Sequence, residues 1–199
     1  MNAAALAVST IEPAARGNIC LRDATAGDAP AIHALVVAHL AEGHLLPRQL
    51  DEIAARAHRF IIATRHDRVV ACAELAPLSR HVGEVRSLVV SGDARRLGIG
   101  SALLGELVDR ARAGGFTKLC AFTHAPDRFV RAGFSIVPHV WLPEKIVTDC
   151  HACALFRRCG QYAVVRTLGD AGHGGKWGRR SFVEDTPEPD TRCRSVLYK

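Results

Sequence analysis

The sequence predicts an α/β domain. Short apolar runs bounded by turn residues read as strands, other segments place their apolar residues at helical spacing, and the two kinds alternate between Ile19 and Leu168. With 199 residues, 48% of them hydrophobic, one domain with a sizeable core is expected.

The run Ile19-Cys20-Leu21-Arg22 reads as a strand. Thr25-Ala26-Gly27-Asp28 offers N-cap side chains, Pro30 suits a first helical turn, and Ile32, Leu35, Val36 and Leu40 follow at helical spacing. Gly43 ends that helix, and residues 44–48 link it to a second short helix over residues 50–57. Residues 60–63 and 69–73 are apolar strands joined by the polar turn His66-Asp67-Arg68. Residues 84–90 form a further strand, and residues 98–113 an amphipathic helix with Leu103, Leu104, Leu107 and Val108 on its buried side. Gly114-Gly115 stops it. A strand over 118–122, a short helix over 126–132, a strand over 134–137 and a last strand over 161–168 complete the pattern. Residues 1–17 are Ala-rich and without period, which predicts a flexible arm; 169–199 is rich in Gly, Pro and charge, which predicts a flexible tail unless Trp177, Phe182 or Tyr198 docks it.

The net charge of +6 suits a polyanionic ligand, but the basic residues are scattered and aromatics make up 6%, so nucleic acid ranks behind a phosphate-bearing cofactor. No apolar run is long enough to span a bilayer, and the first residues lack the basic start of a secretory signal. With seven cysteines, reduced thiols in the cytoplasm are the expectation.

The segment with the clearest chemistry is Arg95-x-x-Gly98-x-Gly100, between an apolar strand and an amphipathic helix. Glycines allow close backbone approach, the helix start offers free N–H groups at its positive dipole end, and Arg95 and Arg96 add charge. That combination suits a pyrophosphate; a Gly pair on its own would only cap a turn.

This strand, turn and helix resemble motif A of the GNAT superfamily of acetyltransferases, and Phe129-Val130-Arg131-Ala132-Gly133-Phe134 resembles the superfamily's later "FY…GF" segment. The resemblance spans residues 19–168. It implies a GNAT domain over 18–168, with a mixed, mostly antiparallel central sheet and flanking helices in three layers. It also implies acetyl-CoA as co-substrate. The pantetheine would pair with the main chain of Leu88, Val89 and Val90, the pyrophosphate would sit on Arg95, Arg96, Leu97, Gly98, Ile99, Gly100 and Ser101, and Phe129 would lie beside the cofactor arm.

Three further segments are similar to amino-acid N-acetyltransferases, the N-acetylglutamate synthase group: Gly43-His44-Leu45-Leu46-Pro47-Arg48, residues 70–78 (with Ala71-Cys72-Ala73) and Gly83-Glu84 through Val90. This likeness implies a stand-alone enzyme acting on L-glutamate or a related amino acid, in arginine biosynthesis. Acetyl transfer to another amine or a peptide, and a non-catalytic acyl-CoA-binding module, are the alternatives. A small-molecule acceptor is expected, with no nucleic acid and no membrane; a homodimer is left open.

Amide formation needs a base for the acceptor ammonium and an acid for the leaving thiolate. Glu84 is the candidate base, through a water; strict alternation would put Arg86, Leu88 and Val90 on its face. Many members carry a Tyr as the acid after the Phe. Val130 stands there in this chain, which leaves Thr123 or His124 as stand-ins. Arg48 and Arg86 are the candidate ligands for the acceptor's carboxylates, since a guanidinium fork binds a carboxylate bidentately. The synthase group's R-x-S pattern is replaced by Arg157-Arg158-Cys159-Gly160. Finally, Cys150-x2-Cys153-x5-Cys159, with His151 or His139 nearby, is a set that a structural zinc would accept; three plain thiols are the alternative, because no second C-x-x-C is present. Catalysis in this superfamily needs no metal.

Overall fold

The structure is a computed structural model describing residues 18–43, 45–169 and 190–195. The arm expected over 1–17 and most of the tail expected over 169–199 lie outside the described residues, as does His44.

The described strands are β1 (Ile19–Asp23), β2 (Phe60–Arg65), β3 (Arg68–Pro77), β4 (Val82–Val90), β5 (Lys118–Thr123), β6 (Ser135–Val137), β7 (Tyr162–Thr167) and β8 (Arg194–Ser195). They form one sheet in the order β6-β7-β5-β4-β3-β2-β1-β8. Only β4 and β5 pair in parallel; the other pairs are antiparallel. The helices are α1 (Ala29–Ala38), α2 (Leu50–Ala55), α3 (Ile99–Ala113), α4 (Asp127–Arg131) and α5 (Pro143–Thr148). None is long and apolar enough to cross a membrane.

Two layers cover the sheet. Leu103, Leu104, Leu107 and Val108 of α3 pack on one face with Ala71, Ala73, Leu75, Val85 and Phe129. Ile32, Leu35 and Val36 of α1 and Ile53 of α2 pack on the other, with Phe60, Ile62, Cys72 and Val89. The β2–β3 hairpin turns through His66 and Asp67, both at positive φ (48° and 60°), as a two-residue turn requires for the strand twist.

Two expectations change. Residues 190–195, read as part of a flexible tail, return to the sheet and add β8 beside β1. Cys20 of β1 and Cys193 are joined as a disulfide, with Cα atoms 5.2 Å apart, so not every cysteine is a reduced thiol. The helix α5 also had no counterpart among the predicted elements.

Candidate active site

The site originates in a break in the β4–β5 pairing. The two strands match at Val82↔Lys118, Gly83↔Leu119 and Glu84↔Cys120, and no further. Beyond that point β4 stays with β3 up to Ala71↔Val90, while β5 stays with β7 up to Thr123↔Tyr162. The strands therefore part, and the β4 main chain after Glu84 faces an open wedge.

Ser87 drives the parting. Its φ of 48° is left-handed, and the β3–β4 register shifts between Cys72 and Glu74. Such a bulge adds one residue to β4 and bends it. The Cys72 thiol donates to the Ser87 carbonyl at 3.4 Å; burial pushes that thiol up to about 12, so it keeps its proton. The bulge also corrects the expected alternation. Glu84 and Arg86 do share a face, but Leu88 and Val90 point to the opposite side, against the α3 layer, and Val89 joins the α1 layer.

At the wide end of the wedge lies a cleft of about 890 Å³. Arg95, Arg96, Gly98, Ile99, Gly100 and Ser101 line it, as expected for the turn before α3. Gly98 caps α3 at φ 73°, and Arg96 is also left-handed at φ 65°. The Ser101 and Ala102 amides both donate to the Gly98 carbonyl (3.0 Å), and the two amides before them, at the start of α3 beside the cleft, precede the first intrahelical bonds. Arg95 donates to the Val90 carbonyl (3.2 Å) and to Glu42 (2.5 Å). Leu97 does not line the cleft; it packs on the core.

Three cleft arginines escaped the sequence reading: Arg128, Arg131 and Arg166. The first two sit three apart on α4, on either side of Phe129, and that spacing was the available signal. Phe129 itself is not among the residues lining the cleft. Its ring is buried, edge-on to Phe134 at 5.4 Å, because α4 turns its one large apolar side chain into the core and its arginines toward the cleft.

On the face opposite α3, charged groups gather behind the wedge. Glu84 is buried; its Oε2 accepts from Arg86 Nε (2.5 Å) and its Oε1 pairs with Lys145 Nζ of α5 (2.6 Å). Arg86 Nη2 and Lys145 Nζ both reach Asp149 Oδ2, at 2.5 and 2.8 Å. Beside them Arg48 grips Glu52 through Nε and Nη2 (3.2 and 3.0 Å) and reaches buried Glu74 (2.9 Å) and Ser87 Oγ (3.3 Å) through Nη1. Both arginines expected to grip a carboxylate of the acceptor thus already hold carboxylates of the chain itself. Glu74, Lys145 and Asp149 were missed: Glu74 lies within an apolar strand, and α5 carries no clear period.

Thr123 ends β5, and its hydroxyl accepts from the Ala125 amide (3.0 Å), which leaves its own hydrogen free to donate. His124 is exposed beside Gly160. Val130, at the place of the usual Tyr, is exposed. Cys150, Cys153 and Cys159 are free thiols in two short turns after α5. Among the described residues no three His, Cys, Asp or Glu side chains converge as a metal-ligand set, so the geometry does not support the zinc expectation.

Comparison with known proteins matches residues 26–134 to the model of the Acetyltransferase (GNAT) family. The chain is 30% identical to an uncharacterized N-acetyltransferase of Chlorobaculum tepidum, over 75% of this chain and 96% of that protein. It is 31% identical to an amino-acid acetyltransferase of Neisseria meningitidis, over 63% of this chain but only 29% of that protein. Among solved structures it is similar to an N-acetylglutamate synthase from Neisseria gonorrhoeae complexed with coenzyme A and N-acetyl-glutamate. The TM-score is 0.68 at 28% identity, over 75% of this chain and 35% of that one.

Proposed function

Because the chain belongs to the GNAT acetyltransferase family, we propose that it transfers the acetyl group of acetyl-CoA to the α-amino group of an amino acid. The observation that carries this reading is the wedge itself, open between an arginine-lined cleft and a buried carboxylate. The names of the longer Neisseria relatives support an amino-acid acceptor. They make L-glutamate, and with it arginine biosynthesis, the first acceptor to try.

In this reading the pantetheine pairs with the β5-facing edge of β4 at residues 88–90, beyond the last β4–β5 pair. The pyrophosphate rests on the amides at the start of α3, with Arg95, Arg96, Arg128, Arg131 and Arg166 around it. Glu84 takes the proton of the acceptor ammonium through a water. Its two cations fix the carboxylate, and each oxygen keeps a lone pair for that water. The amine nitrogen then attacks the thioester carbon, the C–S bond breaks, and the thiolate leaves as CoA with a proton. The Thr123 hydroxyl, on the opposite wall of the wedge, is the donor in reach of the β5 end. Arg86 orients Glu84, and Arg48 ties the link after α1 to β3 and β4.

The test is CoA release by the full chain with acetyl-CoA and a panel of amino acids and amines. Glu84→Gln should lower turnover by about 10²-fold or more and leave acetyl-CoA affinity within a few-fold. Turnover close to wild type would remove Glu84 from the role of base. The internal pairing of Arg48 and Arg86 favours one second reading, acetylation of an amine without a carboxylate. Release of CoA with simple amines and with no amino acid would establish it.

A further inference from the structure

Glu84 and Asp149 share the same two cations. Arg86 bridges them through Nε and Nη2, and Lys145 Nζ lies 2.6 Å from Glu84 and 2.8 Å from Asp149. The two carboxylates differ in exposure: the Glu84 side chain is 3% exposed, that of Asp149 35%. Asp149 therefore forms the solvent-facing end of the cluster. Burial works against its charge, but Lys145, Arg86 and Arg48 outweigh it and hold its carboxyl below the usual range, so it is an anion at neutral pH.

An acceptor that brings its amine to Glu84 comes within reach of this pair of cations. A second carboxylate on its side chain would find them already neutralised and would face Asp149 itself. Arg48 offers no substitute, since Glu52 and Glu74 hold it.

Resting on the amino-acid reading above, we propose that Asp149 is a specificity-determining residue: it occupies the Arg86–Lys145 cation pair from within, so the acceptor is an α-amino acid with an uncharged side chain, and an acidic side chain is rejected. This narrows the acceptor away from glutamate.

L-Glutamine and L-glutamate differ at the side-chain terminus alone and make the direct test. Wild type should show kcat/KM at least roughly tenfold higher for glutamine. In Asp149→Asn that ratio should shrink by roughly tenfold, chiefly through a gain on glutamate, with the KM for acetyl-CoA unchanged. Asp149→Ala should move it the same way. Calorimetry of N-acetylglutamine and N-acetylglutamate on the same variants reads the selectivity without turnover. A wild-type preference for glutamate, or a ratio that neither variant moves in rate or binding, overturns the proposal and leaves the amino-acid reading standing. If wild type acetylates amines but no amino acid, that reading falls and takes the proposal with it.

Discussion

A β-carbon at Gly100 would stand 2.4 Å from the Arg128 guanidinium, which lies across the start of α3. Gly100 is helical, so a larger residue does not break α3; it drives Arg128 off the helix N-terminus. Gly100→Val should therefore leave the fold intact and weaken acetyl-CoA binding by about tenfold or more, the loss of at least one charge-assisted contact. Calorimetry that returns the wild-type affinity would show that the pyrophosphate lies elsewhere. At this scale the sequence is legible where a side chain's role follows from local spacing. Gly98 and Gly100 sit on the cleft, and Glu84 touches Arg86 as residues two apart on a strand should. Ser87 is where local spacing fails. Nothing in its neighbours announces a left-handed φ, yet that one residue sends Leu88 and Val90 to the other face. Arg48 fails for a different reason. Its partner Glu74 is 26 residues away, and a contact that distant leaves no trace in spacing.

Elements with long apolar periods were the readable ones. Helix α1 shows what starts an element: the Thr25 amide and hydroxyl both donate to Asp28 (2.8 and 2.9 Å), and Arg22 of β1 grips the same carboxylate (2.7 and 2.9 Å). The Arg22 guanidinium, more than any other neighbour, holds the Asp28 carboxyl down at about 2. A native pKa below the ordinary 3.8 means that ionised Asp28 stabilises the fold at pH values above about 4. The contribution fades as pH falls from about 4 through about 2, below which both states bind the proton. Asp28→Ala should cost about 1–2 kcal/mol at pH 7. Urea unfolding should show the gap between variant and wild type closing between pH 4 and about 2; a gap that stays constant across that range would mean the ion pair contributes nothing. Helix α5 was not readable, because six residues with Val147 exposed give no period, and its value lies in placing Lys145 and Asp149. Its partners, on β4 and across the wedge, come from other parts of the chain.

The whole molecule depends on how its sheet ends. β1 would be an edge strand with unpaired main chain, a template for another chain. Residues 190–195 cover it: Leu21 pairs with Arg194, Cys20 with Ser195, and the Asp23 amide donates to the Asp190 carbonyl (3.1 Å). Arg194 adds ion pairs to Glu106 (2.6 Å) and Asp23 (3.5 Å), and Arg110 of α3 also meets Asp23. Exposed ion pairs of this kind contribute about 0–1 kcal/mol each, and a two-residue strand contributes little more. The Cys20–Cys193 link, which closes 173 residues of chain, is then the main restraint on the segment. Cys193→Ser should lower stability by about 2–4 kcal/mol. Amide exchange should rise along β1 and stay unchanged along β4, three strands away in the sheet. Acetyl-CoA affinity should also hold, because the cleft lies between β4 and α4, far from this edge. Unchanged exchange at residues 19–23 would show that the ion pairs alone retain the segment. A fall in acetyl-CoA affinity would mean that α3, held to the edge through Glu106 and Arg110, transmits the state of the strap to its own N-terminus.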